Sequence, residues 1–182
     1  MTPDDLRAEI AQLTAQLAGR ALDADLDAWL NRAHGADSTT YRRLKAACEA
    51  GVAAGWLCDR EGGGIRYGRI FKPAADLHGF SVDVVDMAAP RWATPGQPPS
   101  PGGADGAAVP AGGEQDFIAG PHHVHPNGEI DLIMPIVGDA RFDGRPAGWL
   151  VCPPGSAHHP TVSQGRALVL YLLPEGRIEF TK

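Results

Sequence analysis

Long apolar runs are absent from the sequence: no stretch approaches the ~18 consecutive apolar residues that cross a membrane. The first residues, Met-Thr-Pro-Asp-Asp-Leu-Arg, also lack the basic start and the apolar stretch of a signal peptide. We therefore expect a soluble, cytoplasmic protein that has no membrane partner.

Cysteine is scarce, with 3 residues among 182, at positions 48, 58 and 152. The number is odd, the residues are scattered and no Cys-x-x-Cys pair occurs, so the sequence indicates neither a disulfide framework nor a zinc ribbon. We expect the three thiols to be reduced.

No internal repeat is visible either.

Positive charge is sparse in the second part of the chain. The formal net charge is -6. Residues 1–72 carry ten acidic and ten basic side chains, whereas residues 73–182 carry twelve acidic and six basic ones. The acidic second part is therefore not expected to bind a polyanion.

Three amphipathic segments near the N-terminus predict helices over residues 3–18, 24–33 and 39–54. Thr2 before Pro3 is a typical N-cap, as is Ser38 before the third segment. Two further segments, residues 55–60 and 65–71, flank a Gly-rich turn and predict a β-hairpin.

Three helices followed by a hairpin is also the layout of a winged helix, a DNA-binding module. Residues 41–72 carry seven basic and three acidic side chains, but the third helix offers no Asn, Gln or further Arg to read base edges. We therefore favour a packing or dimerisation unit over residues 1–72, and no nucleic-acid partner.

Strand patterns dominate from Leu77 onward. Alternation begins near residue 80, and short strands are predicted at residues 129–137, 147–152, 167–173 and 178–181, separated by turns rich in Gly and Pro. Residues 96–113 hold mostly Gly, Pro and Ala and predict a flexible loop. Many short strands indicate a sandwich or barrel, so we expect a β-barrel domain over residues 73–182.

Four of the seven histidines lie between residues 122 and 158. His123, His125 and Glu129 form a His-x-His-x-x-x-Glu pattern, and His158 follows further on. Residues two apart on a strand point to the same face, so His123 and His125 share a side. The Pro-Asn-Gly turn after His125 lets Glu129 rejoin them. Three imidazoles and one carboxylate suit a divalent first-row metal ion.

These clusters resemble the two motifs of the cupin superfamily, a small double-sheet jelly roll. The first motif matches at residues 123–129, His-Val-His-Pro-Asn-Gly-Glu, and the second at residues 153–158, Pro-Pro-Gly-Ser-Ala-His. The resemblance implies a mainly β fold, a single cupin barrel that carries the helices and the hairpin. It also implies a divalent metal cofactor, which is Fe, Mn, Ni, Co or Zn.

A closer similarity covers nearly the whole chain. Five segments carry it: residues 71–73, Phe-Lys-Pro; 78–80, His-Gly-Phe; 128–133, Gly-Glu-Ile-Asp-Leu-Ile; 148–151, Gly-Trp-Leu-Val; and 158–161, His-His-Pro-Thr. They resemble the 4-hydroxylaminobenzoate lyase family of bacterial nitroarene degradation. The resemblance implies conversion of 4-hydroxylaminobenzoate, a small aromatic substrate, to 3,4-dihydroxybenzoate (protocatechuate) and ammonia. Cupins commonly pair, so a homodimer is expected.

Such a reaction needs groups that move protons. Glu129 is either a metal ligand or a proton carrier. Asp131 has the same strand parity as Glu129 and is predicted to face the cavity. His159 follows a predicted ligand and is a third acid/base candidate, although regular alternation points it and His122 away from the ligands.

A benzoate substrate also needs a cation for its carboxylate and a surface for its ring. Arg141 and Arg145 are candidates for binding the carboxylate, as are Arg66 and Arg91. Trp149 is a candidate for stacking on the ring.

Two alternative functions remain open from the sequence. A cupin dioxygenase would use the same ligands to bind Fe(II) and would consume oxygen, whereas the lyase reaction needs none. A ligand-sensing regulator would use the helices and hairpin for DNA and the barrel for an aromatic effector, but the acidic barrel argues against it.

Overall fold

The structure, a computed structural model, describes residues 2–92 and 116–181. The flexible loop predicted at residues 96–113 lies outside the described residues and stays a prediction.

Three α-helices open the chain: α1 at Pro3–Leu17, α2 at Ala24–His34 and α3 at Thr39–Ala53. A side-chain cap starts each helix, because Thr2, Asp23 and Ser38 each accept a hydrogen bond from a backbone N–H of the first turn. No helix in the two described ranges is long and apolar enough to cross a membrane.

Within residues 2–92 and 116–181, ten β-strands follow the helices, and all paired strands are antiparallel. They are β1 Arg60–Gly62, β2 Ile65–Phe71, β3 Phe80–Ala88, β4 Phe117–Ala119, β5 His123–His125, β6 Glu129–Phe142, β7 Gly148–Cys152, β8 Ser156–His158, β9 Thr161–Pro174 and β10 Glu179–Phe180. The larger sheet has the order β1-β2-β3-β9-β6-β7, with β4 also paired to β9, and the smaller sheet has the order β10-β5-β8.

The two faces of the larger sheet bury different partners. On β6, Leu132 and its even-numbered neighbours belong to one apolar core with Leu6, Ile10 and Leu44 of the helices. Ile133 belongs to a second core on the opposite face, together with residues of β3 and β9. The helices therefore cover one face of the sheet, and the other face is turned toward the barrel interior.

The predicted fold class is confirmed in its elements: the described chain is mainly β, with two antiparallel sheets, three N-terminal helices and a hairpin. The hairpin turn is Gly63-Gly64, and both residues have positive φ (60° and 77°), as a two-residue type I′ turn requires. The division of the chain at residue 72 stays a prediction, and β2 pairs with β3 across that boundary.

The strand predicted at residues 55–60 is wrong, since β1 begins only at Arg60. The backbone N–H groups of Trp56 and Leu57 both donate to the Gly51 carbonyl and fold the chain back over the end of α3. Strands β6 and β9 are also longer than predicted, with 14 residues each. The outer parts of β6 and β9 pair with each other, and that of β9 also pairs with β4. Hydrophobic alternation does not reveal these pairings.

Candidate metal centre

Two short strands and one turn bring the four predicted ligands together. His123 and His125 lie two residues apart on β5, and β5 pairs with β8 so that His123 lies opposite His158. Gly128, with φ of 83°, reverses the chain before Glu129 begins β6. A Cβ on Gly128 would lie 2.8 Å from a backbone carbonyl oxygen of β7, so the turn excludes side chains at this position.

The four side chains place one ligand atom each within 4.8 Å of one another. The Nε2 atoms of His123 and His158 are 3.0 Å apart. Glu129 Oε1 lies 3.2 Å from His125 Nε2 and 3.8 Å from His158 Nε2. The side chains of His125 and Glu129 are 0% and 1% exposed, whereas that of His158 is 17% exposed, so His158 is more open to solvent than these two.

A hydrogen bond to the other ring nitrogen orients each imidazole. His123 Nδ1 lies 3.0 Å from the Pro121 carbonyl oxygen, and His125 Nδ1 lies 3.1 Å from the Ser156 hydroxyl. His158 Nδ1 contacts the Asp143 carboxylate. All three rings therefore turn Nε2 toward the centre of the cluster, the arrangement typical of histidines that bind metal.

The hydrogen-bond partners make the centre rich in lone pairs. Carbonyl and carboxylate oxygens only accept, so Nδ1 of His123 and of His158 donates to them. In the neutral form of both rings, the two Nε2 lone pairs face each other. Within the described residues, His125 Nε2 and Glu129 Oε1 are buried without a hydrogen-bond partner. Converging lone pairs are unfavourable unless a cation lies among them. These residues fit a divalent metal ion held by three imidazoles and one carboxylate.

Burial keeps two of the imidazoles neutral. It lowers the pKa of His123 to about 4 and, together with the neighbouring His123 and His158 rings, lowers the pKa of His125 to about 3. Near neutral pH both rings are therefore uncharged, and an uncharged imidazole has the nitrogen lone pair that binds metal.

A second carboxyl group lies beside Glu129. The side chains of Glu129, Asp131 and Cys152 lie within 4.8 Å of one another, on the face of β6 that is turned to the barrel interior. Burial raises the pKa of Asp131 to about 7, and burial also raises the pKa of Glu129. Asp131 Oδ1 has no hydrogen-bond partner in the part of the chain that the structure describes. Asp131 is therefore a titratable group next to a ligand.

The cluster borders a cavity of about 820 Å³ between the two sheets, with His123 and Glu129 in its wall. Most of the remaining wall is apolar or aromatic: Ile65, Met87, Tyr67, Tyr171, Leu173 and Phe180. Such a wall accommodates an aromatic ring next to the cluster.

Arg145 and Trp149, predicted to bind the substrate, lie at the contact between α2 and β7. Arg145 donates to the Asp27 carboxylate (2.8 Å), and the Trp149 indole N–H donates to the His34 carbonyl (2.7 Å) with the ring 1% exposed. Neither residue lines the cavity. This placement corrects the expectation that Arg145 binds the substrate carboxylate and that Trp149 stacks on the ring. Both residues hold α2 against the barrel.

Three other predicted residues also lie away from the cluster. Arg141 is part-exposed, donates to the Gly144 carbonyl and does not line the cavity. His159 is exposed, contacts the ring of His122 and lies 3.2 Å from the Gly120 carbonyl oxygen through Nδ1. Arg66 donates to the Cys58 carbonyl, away from the cavity wall. The structure does not describe the side chain of Arg91.

Two residues near the cluster were missed from the sequence. The Asp143 carboxylate contacts His158 and also accepts from the Thr161 N–H (2.8 Å). Cys152 was counted among the scattered cysteines, yet it pairs with Glu129 across β6 and β7. The only sequence signal for Asp143 is that it is an acidic residue between the two histidine motifs. Cys152 could be found only from the register between β6 and β7, which the sequence does not give.

Comparisons with known proteins agree with the sequence motifs. The family model of 4-hydroxylaminobenzoate lyase (PnbB) matches residues 8–180. A "4-hydroxylaminobenzoate lyase" of Pseudomonas putida is 29% identical over 183 residues, covering 97% of this chain and 94% of its own. One of Nocardioides sp. (strain LMS-CY) is 30% identical over 185 residues, covering 98% and 95%.

Among solved structures, a Ralstonia eutropha protein of unknown function with a cupin-like fold aligns with a TM-score of 0.34 and 16% identity, over 64% of this chain and 62% of that one. The family match spans nearly the whole chain, including all four residues of the histidine and glutamate cluster. The chain therefore belongs to the 4-hydroxylaminobenzoate lyase family.

Proposed function

We propose that this chain is a metal-dependent lyase that converts 4-hydroxylaminobenzoate to 3,4-dihydroxybenzoate and ammonia. The observation that carries the proposal is the convergence of three imidazole Nε2 atoms and the Glu129 carboxylate in a chain of this lyase family. Metal dependence follows from the donor set, because these lone pairs need a cation.

The reaction is redox-neutral and consumes one water molecule. The N–O bond of the hydroxylamino group breaks, a C–O bond forms at the neighbouring ring carbon, and hydrolysis of the C–N bond releases ammonia. The atoms balance without an oxidant or a reductant, so molecular oxygen is not required. This separates the proposed lyase from a cupin dioxygenase, which must consume oxygen.

A divalent ion at the cluster would supply a Lewis acid for the hydroxylamino oxygen and lower the pKa of bound water. The chain itself must hold and move protons, since the departing oxygen needs a proton and the ring must lose one. We assign this task to Asp131, which does not line the cavity itself but lies beside Glu129, which does. Its carboxyl is buried beside Glu129, has a pKa raised to about 7 and has an oxygen without a partner among the described residues.

Glu129 is assigned the role of anionic ligand. Its Oε1 lies close to the imidazole nitrogens of His125 and His158, and its charge would partly neutralise a divalent ion at this buried position. His159 has no role in this proposal, because its ring lies with His122 outside the cluster.

The test is an anaerobic incubation of purified, metal-quantified protein with 4-hydroxylaminobenzoate, following ammonia and 3,4-dihydroxybenzoate together. Equal release of both products without oxygen, lost after chelation and restored by one divalent ion, is the expected result. Full activity in metal-stripped protein would refute the metal dependence. Product formation only in the presence of oxygen would favour the dioxygenase, and no conversion with the metal bound would favour a binding protein.

A further inference from the structure

The cavity wall carries few positive charges. Among the side chains that the structure describes, Arg60 and Arg69 are the only arginines in the wall, and no lysine lines it. A substrate with a carboxylate, bound in a cavity that also contains Glu129, needs one of these cations nearby. The sequence candidates Arg141 and Arg145 do not meet this need, because they lie elsewhere.

Arg69 is already paired. Its guanidinium forms two hydrogen bonds to the Asp83 carboxylate (2.7 and 3.1 Å) and a third to the Gly176 carbonyl (3.3 Å). Asp83 is directly opposite Arg69 in the β2–β3 register, which keeps the pair in place. The charge of Arg69 is therefore largely balanced before any substrate binds.

Arg60 has a different environment. It is exposed on β1 and forms no ion pair or side-chain hydrogen bond with the described residues. Tyr67 lies opposite Arg60 in the β1–β2 register, is 40% exposed and lines the same cavity. Residues in direct register have Cβ atoms about 5 Å apart, so the guanidinium and the phenol can contact one carboxylate.

The hairpin that carries Arg60 packs close to residues 118–120, which precede the strand with His123 and His125. A Cβ on Gly64 would lie 3.6 Å from Ile118 Cδ1, and a Cβ on Gly120 would lie 3.6 Å from Ile65 Cδ1. Ile65 of the hairpin and Ile118 also pack in the same apolar core. His123 follows Gly120 by three residues, so the hairpin packs beside the segment that leads into the strand with two ligands. The cation and the metal cluster therefore border one cavity through directly packed elements.

We propose that Arg60, assisted by the Tyr67 hydroxyl, binds the carboxylate of the benzoate substrate. This inference rests on the proposed function. A ring with groups at positions 1 and 4 has its carboxylate and its hydroxylamino group at opposite ends. With the carboxylate on the hairpin, the ring lies against the apolar wall near Met87 and Tyr171, and the hydroxylamino group points toward the cluster.

The test compares two substrates in three variants. Replacing Arg60 by Gln (R60Q) removes the charge at an exposed strand position, and R60K keeps the charge but not the two-pronged geometry. R141Q is the matched control, because Arg141 lies outside the cavity. The substrates are 4-hydroxylaminobenzoate and phenylhydroxylamine, which lacks only the carboxylate.

We expect R60Q to lower kcat/KM for 4-hydroxylaminobenzoate about 10- to 100-fold, mainly through KM, because a hydrogen bond to a charged group is lost. The value for phenylhydroxylamine should not change, R60K should fall between wild type and R60Q, and R141Q should match wild type. Equal activity of R60Q and wild type on the benzoate would overturn the inference. An equal loss on both substrates would also overturn it, since that pattern indicates a structural role.

Failure of the proposed function is recognised separately. If the wild-type protein with bound metal converts neither compound, the lyase proposal fails. Calorimetric titration with 4-aminobenzoate then decides the inference about Arg60: binding that weakens in R60Q but not in R141Q supports a carboxylate site. The same affinity in wild type and R60Q, or no binding to either, overturns it.

Discussion

Each ligand imidazole is oriented by a group outside the metal cluster, and only one of these three groups is a carboxylate. His123 and His125 contact a neutral carbonyl and a neutral hydroxyl, whereas His158 contacts the carboxylate of Asp143. A carboxylate on Nδ1 holds the proton there and makes Nε2 a stronger ligand. His158 is also the most exposed ligand, so its orientation depends most on this contact.

Replacing Asp143 by Asn should therefore weaken metal binding about 10- to 100-fold, the usual loss when such a partner is removed. The affinity for Co²⁺ or Zn²⁺ is measured by competition with a chromophoric chelator. Asp139→Asn is the matched control, because Asp139 is exposed and forms no contact with the cluster. Equal affinities of the Asp143 and Asp139 variants would show that the carboxylate does not support His158.

Substitutions of the neighbouring carboxyl groups Glu129 and Asp131 should have different effects on metal content and on kcat. We expect Glu129→Gln to lose metal, because the anionic ligand is gone. Asp131→Asn should keep one metal per chain but lower kcat about 100-fold or more, the usual contribution of a proton-transfer group. Metal analysis and steady-state kinetics on both variants test the assignment. Loss of metal in the Asp131 variant, with metal retained in the Glu129 variant, would reverse the two roles.

At the scale of elements, α2 protects the edge of the larger sheet. The Asn31 side-chain amide pairs with the backbone of Trp149 on the edge strand β7, donating to its carbonyl and accepting from its N–H, both at 2.9 Å. Asp27 accepts from the Val151 N–H (3.0 Å). These side chains take the place of a further strand and leave fewer free backbone groups at the edge.

Asn31→Ala should lower the free energy of unfolding by about 1–3 kcal/mol, because the buried Trp149 N–H loses its partner and the Trp149 carbonyl keeps only the hydrogen bond from Arg145. Urea denaturation followed by tryptophan fluorescence measures the change. Arg32→Ala is the control on the same helix, since Arg32 is exposed and forms no side-chain hydrogen bond within the described residues; it should be nearly neutral. A similar loss in both variants would indicate a general effect on α2.

At the scale of the whole molecule, the metal cluster connects three strands from two sheets. Its ligands lie on β5 and β8 of the smaller sheet and on β6 of the larger one, which also packs against the helices. A metal ion bound by all four side chains would cross-link the sheets in the folded state only. Metal binding should therefore stabilise the entire fold.

We expect a metal concentration 100-fold above the dissociation constant to add about 2.7 kcal/mol of stability and to raise Tm by about 5–10 °C. Differential scanning calorimetry of chelated and metal-loaded protein measures the shift. His125→Ala, which removes a fully buried ligand, should unfold at the same temperature with and without metal. An undiminished shift in this variant would place the stabilising metal outside the cluster.

The sequence by itself determined the helices, the mainly β class and the four cluster residues. Each of these depends on short-range patterns: N-caps and helical spacing for α1 to α3, and strand parity with a Pro-Asn-Gly turn for His123, His125 and Glu129. Only the tertiary structure decided which other side chains contact the cluster residues and line the cavity. Arg145 and Trp149 contact α2, while Arg60 and Asp143 border the cavity and the cluster. The reason is physical: these contacts join residues that are far apart in the chain, and strand register and helix packing, rather than local sequence, set them.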